Sequence, residues 1–352
     1  MMKLSGPVLS GLLLLSAASL TGQAPSPYPV TAGKAYKFET VASGVYYATS
    51  TGTMATGSNN VAIVGDRDVL VVDTGTSPAA ARAFIEDLKL VTTKPIRYVV
   101  NTHFHYDHTD GNQVYAGKAD IIAQEYVKYA IEKLDVLHRE PYKTSQLTNV
   151  PARIETLKMR IAGETDPQRK ATLERQLLVA QQGWDELKEI KPTPPNVTYS
   201  KSKTVNLGGR EVQLLFLGRG HTNGDTVVFL PKEKIVATGD LMESTVAYMG
   251  DAQFDEWVAT LGKLKALDFD LDLPGHGAPF KDKERITAFQ GYLTDLVKQG
   301  TALRGKGLDA EATAKAVDLT AYKTAFPQIQ GPGADIRGVR RLYEWIDEKA
   351  RQ

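Results

Sequence analysis

The chain has 352 residues, and its 42 lysines and arginines against 41 aspartates and glutamates leave a formal net charge of +1. A hydrophobic fraction of 42% and a charged fraction of 24% are typical of a globular protein, and the length suffices for one large domain or two. The balanced charge gives no reason to expect nucleic acid or an anionic membrane as a partner. The absence of cysteine excludes disulfides, thiolate metal sites and cysteine nucleophiles.

A short apolar segment near the N-terminus is typical of a signal peptide. Lys3 precedes the apolar residues 8–20, which are fewer than the roughly 20 that span a bilayer, and small residues follow them. We expect residues 1–24 to be the signal peptide, with cleavage between Ala18 and Ala24. The mature protein would then be periplasmic or secreted, with no stable membrane association. The alternative is an uncleaved N-terminal anchor.

Strand and helix signals alternate over residues 36–125. Segments rich in β-branched and aromatic residues predict strands at 45–49, 60–64, 68–72 and 96–100. Ser77 and Pro78 form a helix-start signal, which predicts a helix that runs to residue 90.

Residues 125–191 have a different character, because they are rich in charge and contain few β-branched residues. A helix-start signal at 165–168 divides them, so we predict a hairpin of two helices at about 151–163 and 167–190. The proline-rich residues 191–195 end the second helix. We interpret this segment as a solvated helical insertion, and the alternatives are a wall of the substrate cleft or a dimer contact.

Strand signals return in the second half of the chain, at 197–200, 211–216, 225–230 and 234–237. Residues 207–210 form a turn of the hairpin type. Residues 283–352 are predicted to be a mostly helical C-terminal extension packed on a domain of residues 36–282. Two strand-rich halves around a helical stretch predict an α/β protein with two packed sheets.

Three histidines and an aspartate follow the strand predicted at 96–100, in the motif His103-Phe-His105-Tyr-Asp107-His108. His103 and His105 lie two residues apart, so both rings point to the same side of an extended backbone. So dense a group of ligand-type residues suits two adjacent divalent cations better than one. Because cysteine is absent, such a site must consist of histidine and carboxylate ligands.

This motif resembles that of the metallo-β-lactamase superfamily. The further residues of that family's pattern follow in the expected order, as Asp73 before the motif and His221, Asp240 and His276 after it. The resemblance covers roughly residues 40–280. It implies a four-layer αββα sandwich with the active site at one edge of the two sheets.

The resemblance also implies how the ligands divide between two metal ions. The first ion would be held by three histidines, His103, His105 and His221. The second would be held by Asp107, His108 and His276. Asp240 would bridge both ions or bind the second alone, and Asp73 would orient the ligand loop from behind. Histidine and carboxylate ligands suit zinc, two ions per chain, with iron or manganese as the alternatives.

Such a pair of ions would lower the pKa of a bridging water to about 7, and the resulting hydroxide would attack an ester, lactone or thioester carbonyl of a small-molecule substrate. Asp107 is the residue expected to accept or relay the proton. The candidates for substrate contact are Tyr106, Asn223, Glu243 and Tyr248. Met249 and Trp257 are further candidates for the cleft lining, whereas His138 is off the pattern and expected on the solvated surface.

The segment that follows His221 looks like the matching segment of zinc β-lactamases, but two positions differ. Asp240 stands where the subclass with the closest spacing has cysteine, and Glu243 stands where it has a lysine that holds the drug's carboxylate. A glutamate there would repel an anionic β-lactam. We therefore predict a binuclear hydrolase of esters, lactones or thioesters. The alternatives are a β-lactamase, an iron-dependent oxidoreductase of the same superfamily, and a non-enzymatic metal-binding scaffold.

Overall fold

The structure is a computed structural model that describes residues 26–351 of the chain. The predicted signal peptide at residues 1–24 lies outside these residues. Among the helices of the described part, none combines the length and the apolar character needed to cross a bilayer.

The first sheet has eight strands, which lie side by side in chain order. They are β1 (Val30–Ala32), β2 (Tyr36–Ala42), β3 (Val45–Ser50), β4 (Asn60–Val64), β5 (Val69–Val72), β6 (Ile96–Val100), β7 (Asp120–Gln124) and β8 (Val197–Tyr199). Neighbours from β1 to β5 pair antiparallel, and neighbours from β5 to β8 pair parallel. The loops after β5 and β6 therefore leave the sheet at the same edge.

The second sheet has five strands. They are β9 (Ser202–Asn206), β10 (Glu211–Leu215), β11 (Val227–Leu230), β12 (Ile235–Gly239) and β13 (Leu271–Pro274). Their order in space is β13-β12-β11-β10-β9, with β12 and β13 parallel and the other pairs antiparallel. The turn predicted at 207–210 connects β9 to β10.

Ten α-helices are described. They are α1 (Pro78–Leu88), α2 (Tyr106–Thr109), α3 (Asn112–Tyr115), α4 (Glu125–Lys133), α5 (Asn149–Gly163), α6 (Pro167–Glu186), α7 (Phe254–Ala266), α8 (Glu284–Gly305), α9 (Ala310–Ala316) and α10 (Ile336–Ala350). Helix α1 begins at the predicted residue, because the Ser77 hydroxyl accepts a hydrogen bond from the Ala80 N–H and Pro78 occupies the first turn.

Alternation along the strands distributes the apolar side chains over the layers of the fold. On β5, Leu70 and Val72 lie in the core between the two sheets, whereas Val69 and Val71 pack outward against α1. The residues of β11 alternate in the same way between that central core and a cluster beneath α7 and α8. The sequence of layers is helix, sheet, sheet, helix, which confirms the predicted αββα sandwich.

Helices α5 and α6 form the hairpin expected between the two strand-rich halves, and they share an apolar seam that includes Leu157 and Leu173. Helix α6 ends at Glu186, earlier than predicted, and the chain continues as one 3₁₀ turn at Leu187–Glu189. The last residues of the described chain are helical. Helices α8 and α10 pack in the same apolar cluster as α7, on the outer face of the second sheet.

Candidate metal centre

The ligand-type residues follow the carboxyl ends of strands in both sheets. Asp73 follows β5 and the histidine motif follows β6, whereas Asp240 follows β12 and His276 follows β13. His221 lies in the loop between β10 and β11. Because β5 and β6 are parallel, as are β12 and β13, these loops meet at one edge of the sandwich.

Three imidazole nitrogens converge in the first group of side chains. The Nδ1 atom of His105 lies 3.0 Å from Nε2 of His103 and 3.0 Å from Nε2 of His221. The Asp240 Oδ2 atom is 3.8 Å and 3.6 Å from those same two Nε2 atoms. All four side chains are buried, and their facing nitrogen and oxygen atoms lie close enough together to bind one metal ion.

The second group consists of Asp107, His108 and His276. The Asp107 Oδ2 atom lies 3.1 Å from Nε2 of His276 and 3.7 Å from Nε2 of His108. Asp240 adjoins this group too, because its Oδ1 lies 3.3 Å from His108 Nε2 and its Oδ2 lies 3.4 Å from His276 Nε2. Asp240 therefore lies between the two groups.

The atoms of these groups fit divalent cations. Each of the seven side chains offers an imidazole nitrogen or a carboxylate oxygen, which are ligands of zinc. Within residues 26–351, His108 Nε2 and Asp240 Oδ1 are buried and have no hydrogen-bond partner. Buried polar atoms are ordinarily paired, and a cation between the groups would satisfy both atoms.

Burial and local charge set the protonation of the ligands. Burial lowers the pKa of His221 to about 3 and holds that of His103 well below its usual value, so both rings are neutral, as metal ligation requires. Burial also disfavours charge on His108 and His276, but nearby carboxylates, foremost Asp240, outweigh it and hold the pKa of both well above the usual range. The excess of carboxylate charge favours a cation at this point.

Asp73 orients His108 from outside the cluster. Its Oδ2 atom lies 2.7 Å from His108 Nδ1 and accepts a hydrogen bond from the Thr102 hydroxyl, and its Oδ1 atom accepts one from the Thr102 N–H. Because a carboxylate can only accept, the His108 ring donates its Nδ1–H and directs Nε2 toward the other ligand-type atoms. The backbone φ of Asp73 is 61°, a left-handed conformation that costs energy and is concentrated at functional sites.

Asp251 performs the same task for His105, and the sequence analysis missed it. Its Oδ2 atom lies 2.9 Å from His105 Nε2, which leaves the Nδ1 lone pair for a metal. Its other oxygen accepts a hydrogen bond of 2.7 Å from Arg139, whose guanidinium lies over the ring of Phe104. Asp251 stands 146 residues after His105 and belongs to no recognisable motif, so no local signal identified it.

Gly275, which precedes His276, has no room for a side chain. A Cβ atom there would collide with the Asp240 carboxylate and would lie 2.9 Å from the His108 ring. The close approach of this backbone segment brings His276 to the two other ligands of its group. The glycine is therefore part of the geometry of the site.

The remaining candidate residues lie around the ligands. The Tyr248 ring lies 5.6 Å from that of His105 and 4.8 Å from the Arg337 guanidinium. Tyr106 and Asn223 line two different cavities beside the cluster. Trp257 is fully buried in the core under His221 and Met249 is also buried, so neither lines an open cleft. His138 is exposed and pairs with Asp135, as expected for a surface residue.

Glu243 lies beneath the second ligand group. Its side chain is buried and accepts a hydrogen bond of 2.7 Å from the Thr245 hydroxyl. Burial, reinforced by the charge of Asp240, raises the pKa of Glu243 to about 8. Its expected role in excluding anionic substrates stays a prediction.

Comparison with known proteins agrees with this geometry. A linear primary-alkylsulfatase from Pseudomonas sp. is 23% identical over 289 residues, which are 78% of this chain and 53% of that protein. The structure of a sec-alkylsulfatase from Pseudomonas sp. matches 87% of this chain and 49% of its own at a TM-score of 0.59 and 18% identity. The chain thus spans about half the length of the curated relatives it matches.

A shorter solved structure matches over nearly its whole length. The structure of a metallo-beta-lactamase from Pontibacter korlensis is covered to 99% and covers 74% of this chain, at a TM-score of 0.52 and 17% identity. The family model described as the metallo-beta-lactamase superfamily matches residues 54–276, which include Asp73 and all seven ligand-type side chains. The chain belongs to the metallo-beta-lactamase superfamily.

Proposed function

We propose that this protein is a zinc-dependent hydrolase that cleaves ester, lactone or thioester bonds of small molecules. The observation that carries the proposal is the presence of two adjoining ligand groups that share a border at Asp240. Sites with two such groups are typical of enzymes that activate water between paired divalent cations. Each ion would be held by the ligands of one group, and Asp240 adjoins both groups.

Bound zinc would polarise the reacting carbonyl and activate the attacking water. Asp107 is our candidate for the proton transfer, because it and His276 are the most exposed members of the cluster. Its carboxylate would accept the proton of the attacking water and pass it to the oxygen or sulfur that leaves as the carbonyl bond breaks. Asp73 and Asp251 hold His108 and His105 in the rotations that ligation requires.

The choice of a carbonyl ester over a β-lactam rests on two residues of the loop after β12. Asp240 replaces the cysteine of the β-lactamase subclass with the closest spacing, and Glu243 replaces the lysine that would hold an anionic drug. Without that lysine, the site lacks the cation that would hold the carboxylate of such a substrate. Weak β-lactam hydrolysis is the alternative activity, and an iron-dependent oxidoreductase remains a further one.

Hydrolysis of alkyl sulfate esters is a second candidate, and one observation favours it. The linear primary-alkylsulfatase aligns with 78% of this chain, including the region of the metal centre. A sulfuryl centre could be attacked by the same activated water as a carbonyl centre.

Metal analysis and a substrate panel test the proposal. Purified protein would be analysed for zinc, iron and manganese, then assayed on 4-nitrophenyl esters, lactones, thioesters, nitrocefin and an alkyl sulfate. Two zinc ions per chain with turnover of esters, lactones or thioesters would support it. One iron per chain with oxygen consumption would contradict it, and turnover of the alkyl sulfate alone would establish the second candidate.

We also propose that the chain is exported, because residues 1–24 have the pattern of a signal peptide. Fractionation of cells that express the full chain tests this. We expect the protein in the periplasm or medium, with an N-terminus between residues 18 and 24. Full-length protein in the membrane fraction would support the uncleaved anchor instead.

A further inference from the structure

A cavity of about 210 Å³ lies between the helical hairpin and the loops of the metal centre. We call it the hairpin pocket. Its walls include Ala55 and Gly57 from the loop before β4, Tyr106 from α2, Val150 from α5, and Ala180 and Gly183 from α6. It is thus the place where the insertion of uncertain role adjoins the catalytic fold.

The hairpin pocket begins beside a metal ligand. Tyr106 immediately precedes Asp107 in the chain and lines the pocket. Gly57, also in the wall, packs so closely on Asp107 that a Cβ atom at Gly57 would lie 2.7 Å from the Asp107 Cβ. One wall of the pocket therefore adjoins a residue of the second ligand group.

The chemistry of the walls selects an apolar occupant. Seven of the thirteen lining residues are alanine, valine, leucine or glycine. Two of the polar ones are paired with each other, because the Ser77 hydroxyl donates a hydrogen bond of 2.9 Å to Glu186. Arg153 is exposed at the rim. An apolar cavity of about 150 Å³ accepts a benzene ring, so this volume suits a chain of about six to eight carbons.

We propose that the hairpin pocket binds the apolar acyl or alkyl chain of the substrate, and that helices α5 and α6 thereby set chain-length preference. This inference rests on the proposed function for the identity of the reacting group. The helical insertion would then form one wall of the substrate site, which is the alternative to the interpretation of it as a purely solvated element.

Gly183 provides the test, because its missing side chain opens into the hairpin pocket. A Cβ atom there would lie 3.6 Å from the Ala55 Cβ, in ordinary contact, so the Gly183→Leu side chain would fill the space beyond it. The matched control is Gly163→Leu. Gly163 is exposed on the other helix of the hairpin. Among the described residues, no atom lies within 4 Å of the position that its Cβ would occupy.

Catalytic efficiency would be measured for 4-nitrophenyl acetate and 4-nitrophenyl octanoate with the zinc-loaded protein. We expect the octanoate to be preferred by at least about tenfold, since several methylene groups leave water. Gly183→Leu should remove that preference and leave acetate turnover within about twofold. Gly163→Leu should match the wild type. An unchanged preference in folded Gly183→Leu protein would overturn the proposal.

Calorimetric binding of octanoate and acetate supplies a readout that does not depend on turnover. We expect Gly183→Leu to weaken octanoate binding about tenfold and to leave acetate binding unchanged. Weakened octanoate binding in a protein that hydrolyses no ester would refute the proposed function but support the pocket. Ester hydrolysis with unchanged octanoate binding in Gly183→Leu would support the proposed function but refute the pocket. Val150→Phe, at the half-buried edge of α5, replaces Gly183→Leu if circular dichroism shows that variant unfolded.

Discussion

Asp107 is the ligand-type residue on which both metal binding and proton transfer are expected to depend. Its replacement by alanine removes a ligand of the second group and the proposed proton acceptor, and His108→Ala removes another ligand of that group. We expect either variant to lose ester turnover by at least about a thousandfold, because an activated water and a proton acceptor are both affected. Steady-state kinetics and circular dichroism measure the two effects. Unchanged activity would refute the mechanism.

Asp251 acts on the centre through His105, so its effect should appear in metal affinity. Asp251→Asn weakens the acceptor that fixes the His105 ring, and we expect the zinc affinity to fall about 10- to 100-fold. Competition with a chromophoric chelator measures this change. Asp255→Asn is the matched control, because Asp255 lies near Asp251 in the chain but is exposed and forms a surface ion pair of 2.9 Å with Lys349. Equal affinities in the two variants would contradict the role of Asp251.

Glu243 tests the discrimination against β-lactams. Glu243→Lys replaces an acidic group near the second ligand group with the cation that β-lactamases use, so we expect nitrocefin turnover to increase by about tenfold. Because Glu243 is buried, the variant must first be shown by thermal denaturation to be folded. Glu243→Gln separates removal of the acid from gain of the cation. Folded Glu243→Lys protein without increased turnover would show that the acid does not limit β-lactam hydrolysis.

The turn between β9 and β10 anchors the second sheet to the first. Arg210 donates hydrogen bonds to the carbonyls of Ser43 and Gly44, in the turn after β2, and of Val64, at the end of β4. It also pairs with Glu233, in the turn before β12 of the second sheet. These turns lie far from the metal centre, at the opposite ends of the strands. The contact thus contributes to the alignment of the two sheets whose other edge carries the ligands.

Loss of this anchor should lower stability. Arg210→Ala removes several hydrogen bonds made by a charged donor, and the backbone carbonyls that accepted them lose this partner. We therefore expect the free energy of unfolding to fall by about 2–4 kcal/mol. Urea denaturation of the two proteins measures it. Arg67→Ala, which truncates an exposed arginine of a neighbouring turn, should change the free energy by less than about 0.5 kcal/mol. A loss below 1 kcal/mol in Arg210→Ala would contradict the anchoring role.

At the scale of the molecule, loops of both sheets form the candidate metal centre. His103, His105, Asp107 and His108 extend from the first sheet, and the other three ligand-type residues belong to the second. Ions held by both sheets bind the folded chain and not the unfolded one. Metal binding is therefore expected to stabilise the whole sandwich.

Removal of zinc with a chelator should lower the melting temperature by at least about 5 °C. Zinc at a concentration far above its dissociation constant adds about 4 kcal/mol to the free energy of unfolding. Each kcal/mol raises the melting temperature of a chain of this size by a few degrees. Differential scanning calorimetry before and after chelation measures the change, and added zinc should restore it. His103→Ala should show a smaller decrease on chelation. An equal decrease in that variant would mean that the stabilising ions are bound elsewhere.

Local sequence patterns predicted much of the fold, and there are physical reasons why they did not predict strands β9 and β13. Helix α1 has a cap and an initial proline, so its start followed from the sequence. Strand β9 is mostly polar, and β13 is a four-residue strand that contains the buried Asp272, so neither shows the apolar alternation that predicts a strand. Both strands form because sheet neighbours accept their backbone hydrogen bonds, which is a property of the assembled sheet.

The amino-acid sequence by itself determined the ligand types, their order and the superfamily, because the histidine motif is local and the absence of cysteine leaves few other ligands. Only the tertiary structure decided which groups orient those ligands and what adjoins them. Asp251 meets His105 across 146 residues, and Gly183 lies beside Ala55 although four strands and five α-helices separate them in the chain. Such contacts depend on how helices and sheets pack, and no local spacing in the chain encodes that packing.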